Sequence, residues 1–187
     1  VNATTPKGQA LGLKIETDYP HSGKVKIHVN PEKAERFAVQ IRIPEWSKKN
    51  KVKVNGKSLK VESGQYAIID REWKNNDRIE IEFEMIARVI DGPQGSAPGS
   101  ENFQAVTWGP IVLARDENID PTFNQPTKIK ENKRGVVKVT KTTPTRSDAR
   151  MEFIVPTTKG NIRMVDYASV NCWEDSHVCT WLPLIKE

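Results

Sequence analysis

The first residues that could do chemistry are the carboxylates crowded into Ile79-Glu80-Ile81-Glu82-Phe83-Glu84-Met85. Two carboxylates hydrolyse a glycosidic bond when they flank the sugar from opposite sides. Here strict alternation puts Glu80, Glu82 and Glu84 on one face of one strand, at a spacing set by the pleat. They cannot flank a ligand. Lys24/Lys26 and Lys51/Lys53 lie in similarly alternating runs and present matching basic faces. Cross-strand Glu–Lys pairing on a solvated sheet is therefore the expectation.

The other candidates are sparser. His28 shares a polar face with Lys24 and Lys26, and His21 lies in the turn Pro20-His21-Ser22-Gly23. Neither is arranged with a serine or cysteine in a nucleophile elbow. Cys172 and Cys179 are too far apart for a CxxC motif. A disulfide between neighbouring strands and two separate thiols are both compatible with the sequence. With His177 they offer three metal ligands at most, where a structural zinc site uses four, so no metal is expected. Asp116, Glu117 and Asp120 are calcium-type ligands without EF-hand spacing and are expected in a solvated loop. Gly92, Gly95 and Gly99 lack the Lys-Ser/Thr of a phosphate loop, and Pro93 and Pro98 remove backbone donors. No cofactor is implied. Among the five tryptophans, Trp46, Trp73 and Trp108 are the candidate carbohydrate contacts. An exposed indole stacks on a sugar ring, and a buried one simply packs.

The elements that must position these residues are strands. Lys24 to Val29 and Ile79 to Met85 alternate polar and apolar residues, and Lys51 to Val54 does so briefly. Phe37–Ile43 and Tyr66–Ile69 are β-branched and aromatic, as are Val136–Thr140 and Met151–Val155. Asn55-Gly56 between two short runs signals a hairpin. Lys74 to Asp77 forms another turn. Pro31 to Arg36, capped by Asn30, is expected to make one turn of helix. Asp91 to Ser100 is rich in Gly, Pro and Ser and reads as an exposed loop. Asp116 to Thr127 follows the apolar strand Phe103–Ala114 and is the expected domain boundary. Many short strands with frequent turns imply an all-β, antiparallel sandwich of jelly-roll type over 1–116. A second smaller β-sandwich or β extension is expected over 117–187.

The composition fits that class. The chain has 187 residues, 36% hydrophobic and 28% charged, with a net charge of +5. Its 29 basic and 24 acidic residues are mixed. The densest basic stretch, Lys128 to Arg134, contains Glu131 and no aromatic for base stacking, so no nucleic-acid partner is expected. No run of 18 apolar residues exists, so no membrane span is expected. Val1 to Ala10 is polar and reads as no signal peptide, and Val1 reads as the start of an excised piece.

An ordered set of segments carries a resemblance. Phe37-Ala38-Val39-Gln40-Ile41-Arg42-Ile43-Pro44-Glu45-Trp46 is followed by Val52-Lys53-Val54-Asn55-Gly56, Gly64-Gln65-Tyr66, Arg71-Glu72-Trp73 and Asn76-Asp77. The strand Ile79 to Met85 comes next, and Ala105-Val106-Thr107-Trp108-Gly109-Pro110-Ile111-Val112-Leu113-Ala114 closes the series, with Asp18-Tyr19-Pro20 and Gly23-Lys24-Val25 at its opening. Over residues 16–115 this resembles the C-terminal β-sandwich region that follows the catalytic barrel in glycoside hydrolase family 127, the β-L-arabinofuranosidase-like family. The resemblance implies a parent glycoside hydrolase whose (α/α)6 barrel holds an acid glutamate and a cysteine nucleophile near zinc. None of those motifs is here, and no catalytic role passes to Cys172 or Cys179. The implied role is a non-catalytic accessory sandwich stabilising that barrel, its partner within the parent chain, in a periplasmic or extracellular enzyme. An independent carbohydrate-binding module is the alternative, and an adhesin-like or immunoglobulin-like module is a third. The first would expose an apolar patch for the barrel, the second an aromatic platform.

Overall fold

The computed structural model describes residues 2–170 and 176–185. The chain divides into two compact units, Val1–Met85 and Ile86–Glu187. The first contains β1 (Asn2–Thr4), β2 (Ala10–Thr17), β3 (Lys24–Pro31), β4 (Glu35–Arg42), β5 (Lys51–Val54), β6 (Lys57–Leu59), β7 (Tyr66–Trp73) and β8 (Asp77–Glu82). Among the described residues these form a six-stranded sheet, ordered β1-β2-β3-β8-β5-β6, and a two-stranded sheet of β4 and β7. All the strand pairs are antiparallel.

Alternation explains how the two sheets meet. Val29, Ile79, Ile81, Val52 and Val54 turn inward from the large sheet. Phe37, Ile41, Ala67, Ile69 and Trp73 turn inward from the small one, and both sets share one core. Trp73 is fully buried, lies against Phe37 at 6.1 Å between ring centroids, and donates its indole N–H to the Phe37 carbonyl at 2.9 Å. The ring therefore fills the core and satisfies a backbone acceptor at once.

The turns follow their chemistry. Asn55 and Gly56 both have positive φ, 50° and 80°, in the two-residue β5–β6 hairpin. The Asn55 amide also donates to Asp77 Oδ1 at 2.7 Å, and its carbonyl accepts from the Arg78 N–H at 2.8 Å. One side chain thus ties two hairpin turns together. Gly23 is required for space: a Cβ there would lie 2.1 Å from the Phe83 carbonyl oxygen.

The second unit contains β9 (Ala87–Asp91), β10 (Phe103–Trp108), β11 (Ile111–Asp116), β12 (Val136–Val137), β13 (Thr140–Thr142), β14 (Glu152–Thr157), β15 (Gly160–Asp166), β16 (Val178–Cys179) and β17 (Leu182–Pro183). Its sheet runs β12-β9-β10-β11-β15-β14-β13, with β16 pairing β11 and β17 pairing β10. Val106, Leu113, Phe153, Val155, Met164 and Leu182 form its main core. The Trp108 and Phe153 rings approach to 5.2 Å.

The all-β antiparallel expectation holds, with four corrections. No sheet among the described residues closes into a jelly roll, because the large sheet of the first unit ends in free edges at β1 and β6. The division falls after Met85 and not near Asp116, since β11 runs to Asp116 and is paired on through β15 and β16. Pro31 to Arg36 makes no helical turn, because β3 extends to Pro31 and β4 begins at Glu35. The run Phe103–Ala114 is two strands, broken where Gly109 adopts φ 56°.

Trp73→Ala removes both the ring and its hydrogen bond. We expect a loss of about 3–5 kcal/mol of stability, measured by urea denaturation followed by far-UV circular dichroism. A loss below 1 kcal/mol would show that the two sheets do not depend on it.

Candidate functional site

The outer face of the six-stranded sheet carries the carboxylates singled out by sequence. Register sets Glu80 opposite Lys26 on one side and Lys53 on the other, and Glu82 opposite Lys24 and Lys51. Glu16 stands opposite Lys26 and Lys14 opposite His28. The rows Glu16–Lys26–Glu80–Lys53 and Lys24–Glu82–Lys51 therefore alternate in sign across the strands, whereas Lys14, His28 and Arg78 form a basic row. Lys51 Nζ lies 3.1 Å from Glu82 Oε2, and Lys14 Nζ lies 2.7 Å from Glu16 Oε1. Exposed pairs of this kind add little to stability, because solvent screens them. Glu84 departs from the expectation: β8 ends at Glu82, and Glu84 lies 3.8 Å from Lys49. The hydrogen bond from Lys14, then that from His28, holds the Glu16 carboxyl below the ordinary range.

This face borders an open concavity of ≈ 770 Å³. Its lining includes four lysines, Lys24, Lys26, Lys51 and Lys53, and four acids, Glu16, Asp18, Glu80 and Glu82. No aromatic side chain lines it. The carboxylates share one face, so they do not oppose each other across a substrate, as glycoside hydrolysis demands.

The tryptophans separate into distinct environments. Trp73 has no exposed surface, which removes it as a carbohydrate contact. Trp46 is half-buried and meets Phe83 edge-on at 5.9 Å, while Phe83 meets Tyr19 edge-on at 6.2 Å. Burial there raises the Tyr19 phenol above its ordinary value. Trp108 is half-buried against Phe153, and the Lys141 ammonium stands 5.4 Å from its ring centroid. Trp181, 42% exposed, is more open than any of the three. Trp173 lies outside the described residues.

Asp116, Glu117 and Asp120 each have a protein partner. Arg115 is buried and donates to Asp120 Oδ2 at 2.6 and 2.9 Å, to Thr122 Oγ1 at 2.8 Å and to the Gln125 carbonyl. Asp116 is buried, 3.4 Å from Arg146, and accepts the Asn118 N–H at 2.9 Å. Glu117 Oε2 lies 3.1 Å from His177 Nδ1. These contacts anchor the irregular segment that sequence read as a solvated loop. Cys179 Sγ donates to the Trp181 carbonyl at 3.0 Å, and burial pushes its thiol up while Arg115 pulls it down. Cys172 and the pairing question lie outside the described residues. Among the described residues no three His, Cys, Asp or Glu side chains cluster to hold a metal.

Two polar centres escaped sequence reasoning. Ser47 is fully buried. Its hydroxyl donates to Asn50 Oδ1 at 2.6 Å and accepts the Glu84 N–H at 2.7 Å, while its carbonyl accepts from Asn50 and Ser63. Glu35 is also buried and accepts hydrogen bonds from Thr5, Gln9 and the Lys7 N–H. Burial alone would raise its pKa, but these bonds outweigh it and hold the carboxyl below the ordinary range. Both are structural anchors. The only signal was the polar residue itself, because the partners are up to thirty-seven residues away.

Comparison with known proteins now bears on this arrangement. Residues 2–85 match the family described as Beta-L-arabinofuranosidase, GH127 middle domain. That family describes the matched part as a middle domain and not a C-terminal one, and the match ends where the first unit ends. The segment Ala105–Ala114 falls outside it. The fold is similar to that of a GH127 beta-L-arabinofuranosidase from Geobacillus stearothermophilus T6, with a TM-score of 0.80, 19% identity and 99% of this chain covered. It is also similar to a structure described as a glycoside hydrolase, with a TM-score of 0.76, 24% identity and 100% of this chain covered. A GH127 beta-arabinofuranosidase gives a TM-score of 0.74 at 21% identity over 99% of this chain. This chain spans 32%, 34% and 33% of those three chains respectively. No curated protein sequence matches significantly. Among the described residues there is no α-helix, so the helical barrel expected to hold the parent's active site has no counterpart there.

Asp120 supplies the test of the buried polar network. Burial raises its pKa, but hydrogen bonds from Thr122 and Arg115 outweigh that and place the carboxyl below its ordinary 3.8. Its folded pKa is depressed, so its contribution is complete above the unfolded value and is lost as pH falls through the folded one. Asp120→Asn should cost about 2 kcal/mol at pH 7, since Arg115 stays buried. The gap from the unsubstituted chain should close as the pH is lowered below 3.8. Denaturation curves across pH check both, and a pH-independent gap would refute the assignment.

Proposed function

We propose that this chain is a non-catalytic accessory β portion of a larger GH127-type glycoside hydrolase, and that it stabilises the catalytic (α/α)6 barrel of that parent. The supporting observation is a combined one. A family model covers the first unit, and the fold similarity continues over nearly the whole chain while spanning about a third of each solved relative. The site geometry agrees with this reading. Glu80 and Glu82 are spent in charge rows on one sheet face, and Asp116, Glu117 and Asp120 are engaged by Arg146, His177 and Arg115.

The parent's substrate is an arabinofuranoside-like glycan, and its place of action is the periplasm or the extracellular space. Two of the solved relatives, described as beta-L-arabinofuranosidase and beta-arabinofuranosidase, support the substrate class. A carbohydrate-binding module would need an open ring face. Trp73 has none, Trp46 and Trp108 are each packed against another ring, and among the described residues the more open Trp181 is the indole still available to such a module.

The purified 187-residue chain should release no p-nitrophenol from aryl arabinofuranosides, whereas the parent protein should. Turnover by the isolated chain would overturn the accessory reading, and an inactive parent would overturn the substrate class.

A further inference from the structure

We propose that the outer face of the two-stranded β4–β7 sheet is the surface that docks the catalytic part of the parent chain. This rests on the accessory reading above. Among the described residues β4 and β7 pair only with each other, so each eight-residue strand has an open backbone edge. Long open edges invite pairing or cover, and proteins usually protect them.

The same pleat that buries Phe37, Ile41, Ile69 and Trp73 turns alternate side chains outward. Register sets Gln40 opposite Ile68 and Arg42 opposite Tyr66. Ile68 is 61% exposed and Tyr66 60%, the two most exposed large apolar side chains among the described residues. Both come from one strand and one face. Exposed apolar side chains grouped in this way mark an interaction site, and tyrosine is enriched at interface hot spots.

The margin of the face is polar. Arg36 pairs with Asp70 at 3.2 Å, and Lys74 with Glu72 at 3.4 Å. The Arg42 guanidinium stands 5.7 Å from the Tyr66 ring centroid and donates to the Ile43 carbonyl at 2.9 Å. No carboxylate lies within ion-pair distance of Arg42 among the described residues. The face thus has an apolar end, at Ile68 and Tyr66, and a charged end, at Arg36, Asp70 and Glu72, and apolar residues bordered by charged ones are common in protein interfaces. The fitting partner surface is apolar and brings a carboxylate to Arg42.

Size favours a tethered partner over a second copy. Two eight-residue strands offer a face of about 26 Å by 10 Å, well short of the roughly 800 Å² per partner that a stable free complex buries. A partner on the same polypeptide needs far less, because tethering raises its effective concentration. About two-thirds of each solved relative lies outside the part that this chain matches.

The test uses the full-length parent protein. A benzophenone side chain placed at Ile68, and in a control at exposed Lys57, is irradiated and the products are mapped by mass spectrometry. The expected product joins position 68 to a segment outside residues 1–187, at a yield at least tenfold above the control. In parallel, Tyr66→Ser together with Ile68→Ser should lower the parent's unfolding midpoint. A cross-link confined to residues 1–187, whether in one copy or between two, overturns the proposal, as does equal yield from the control. A parent without glycosidase activity removes the accessory reading itself. An active parent with no cross-link from position 68 removes only the docking surface.

Discussion

The first unit depends on one constraint: a six-stranded sheet with one apolar face must bury that face under only two strands. Period-two alternation makes the sheet two-sided, with lysines and glutamates outward and valines and isoleucines inward. The inner face is worth burying only if the covering layer fills the space above it. β4 and β7 are narrow, so their inward residues must be large, and Phe37, Ile41, Ile69 and Trp73 are. Trp73 is decisive because it adds a hydrogen bond across its own strand pair. Cover thins toward β2, where Ile15 on the same inward register remains 53% exposed.

Much of this was legible because local signals and global fold agree. The Lys24–Val29 and Lys51–Val54 alternations state which face is wet, and Glu80 and Glu82 arrive opposite the expected lysines. Asn55-Gly56 has the positive φ values that the dipeptide announces. The ordered segments around Ile43-Pro44-Glu45-Trp46 fall within the part that the family model matches, although the family places that part in the middle and not at the end.

What sequence missed depends on distance along the chain. The boundary expected near Asp116 was read from a proline-rich, aperiodic segment, yet composition does not report pairing. β11 is held on both sides by strands from beyond that segment, and the buried Arg115 fastens the segment itself. The true division, after Met85, has no Gly- or Pro-rich linker to announce it. Trp73 was a candidate carbohydrate contact, but the strand end that carries it lies inside the core. Ser47 and Glu35 are invisible for the same reason, since their partners come from remote turns.

Among the described residues the carboxylates singled out by sequence are used in ways that do not suit glycoside hydrolysis. A general acid and a nucleophile must converge on one bond from two sides, with pKa values pushed apart by their surroundings. Glu80 and Glu82 share one sheet face and stand between lysines, so they do not approach one bond from two sides. Asp120 and Glu35 are held ionised by hydrogen bonds, so neither is a proton donor near neutral pH. The polar groups of this chain stabilise its own loops and sheet faces, and they leave Tyr66 and Ile68 as the exposed feature that internal packing does not explain. Glu80 and Glu82, the two carboxylates of the outer sheet face, are therefore placed for pairing with lysines across the strands and not for converging on a glycosidic bond.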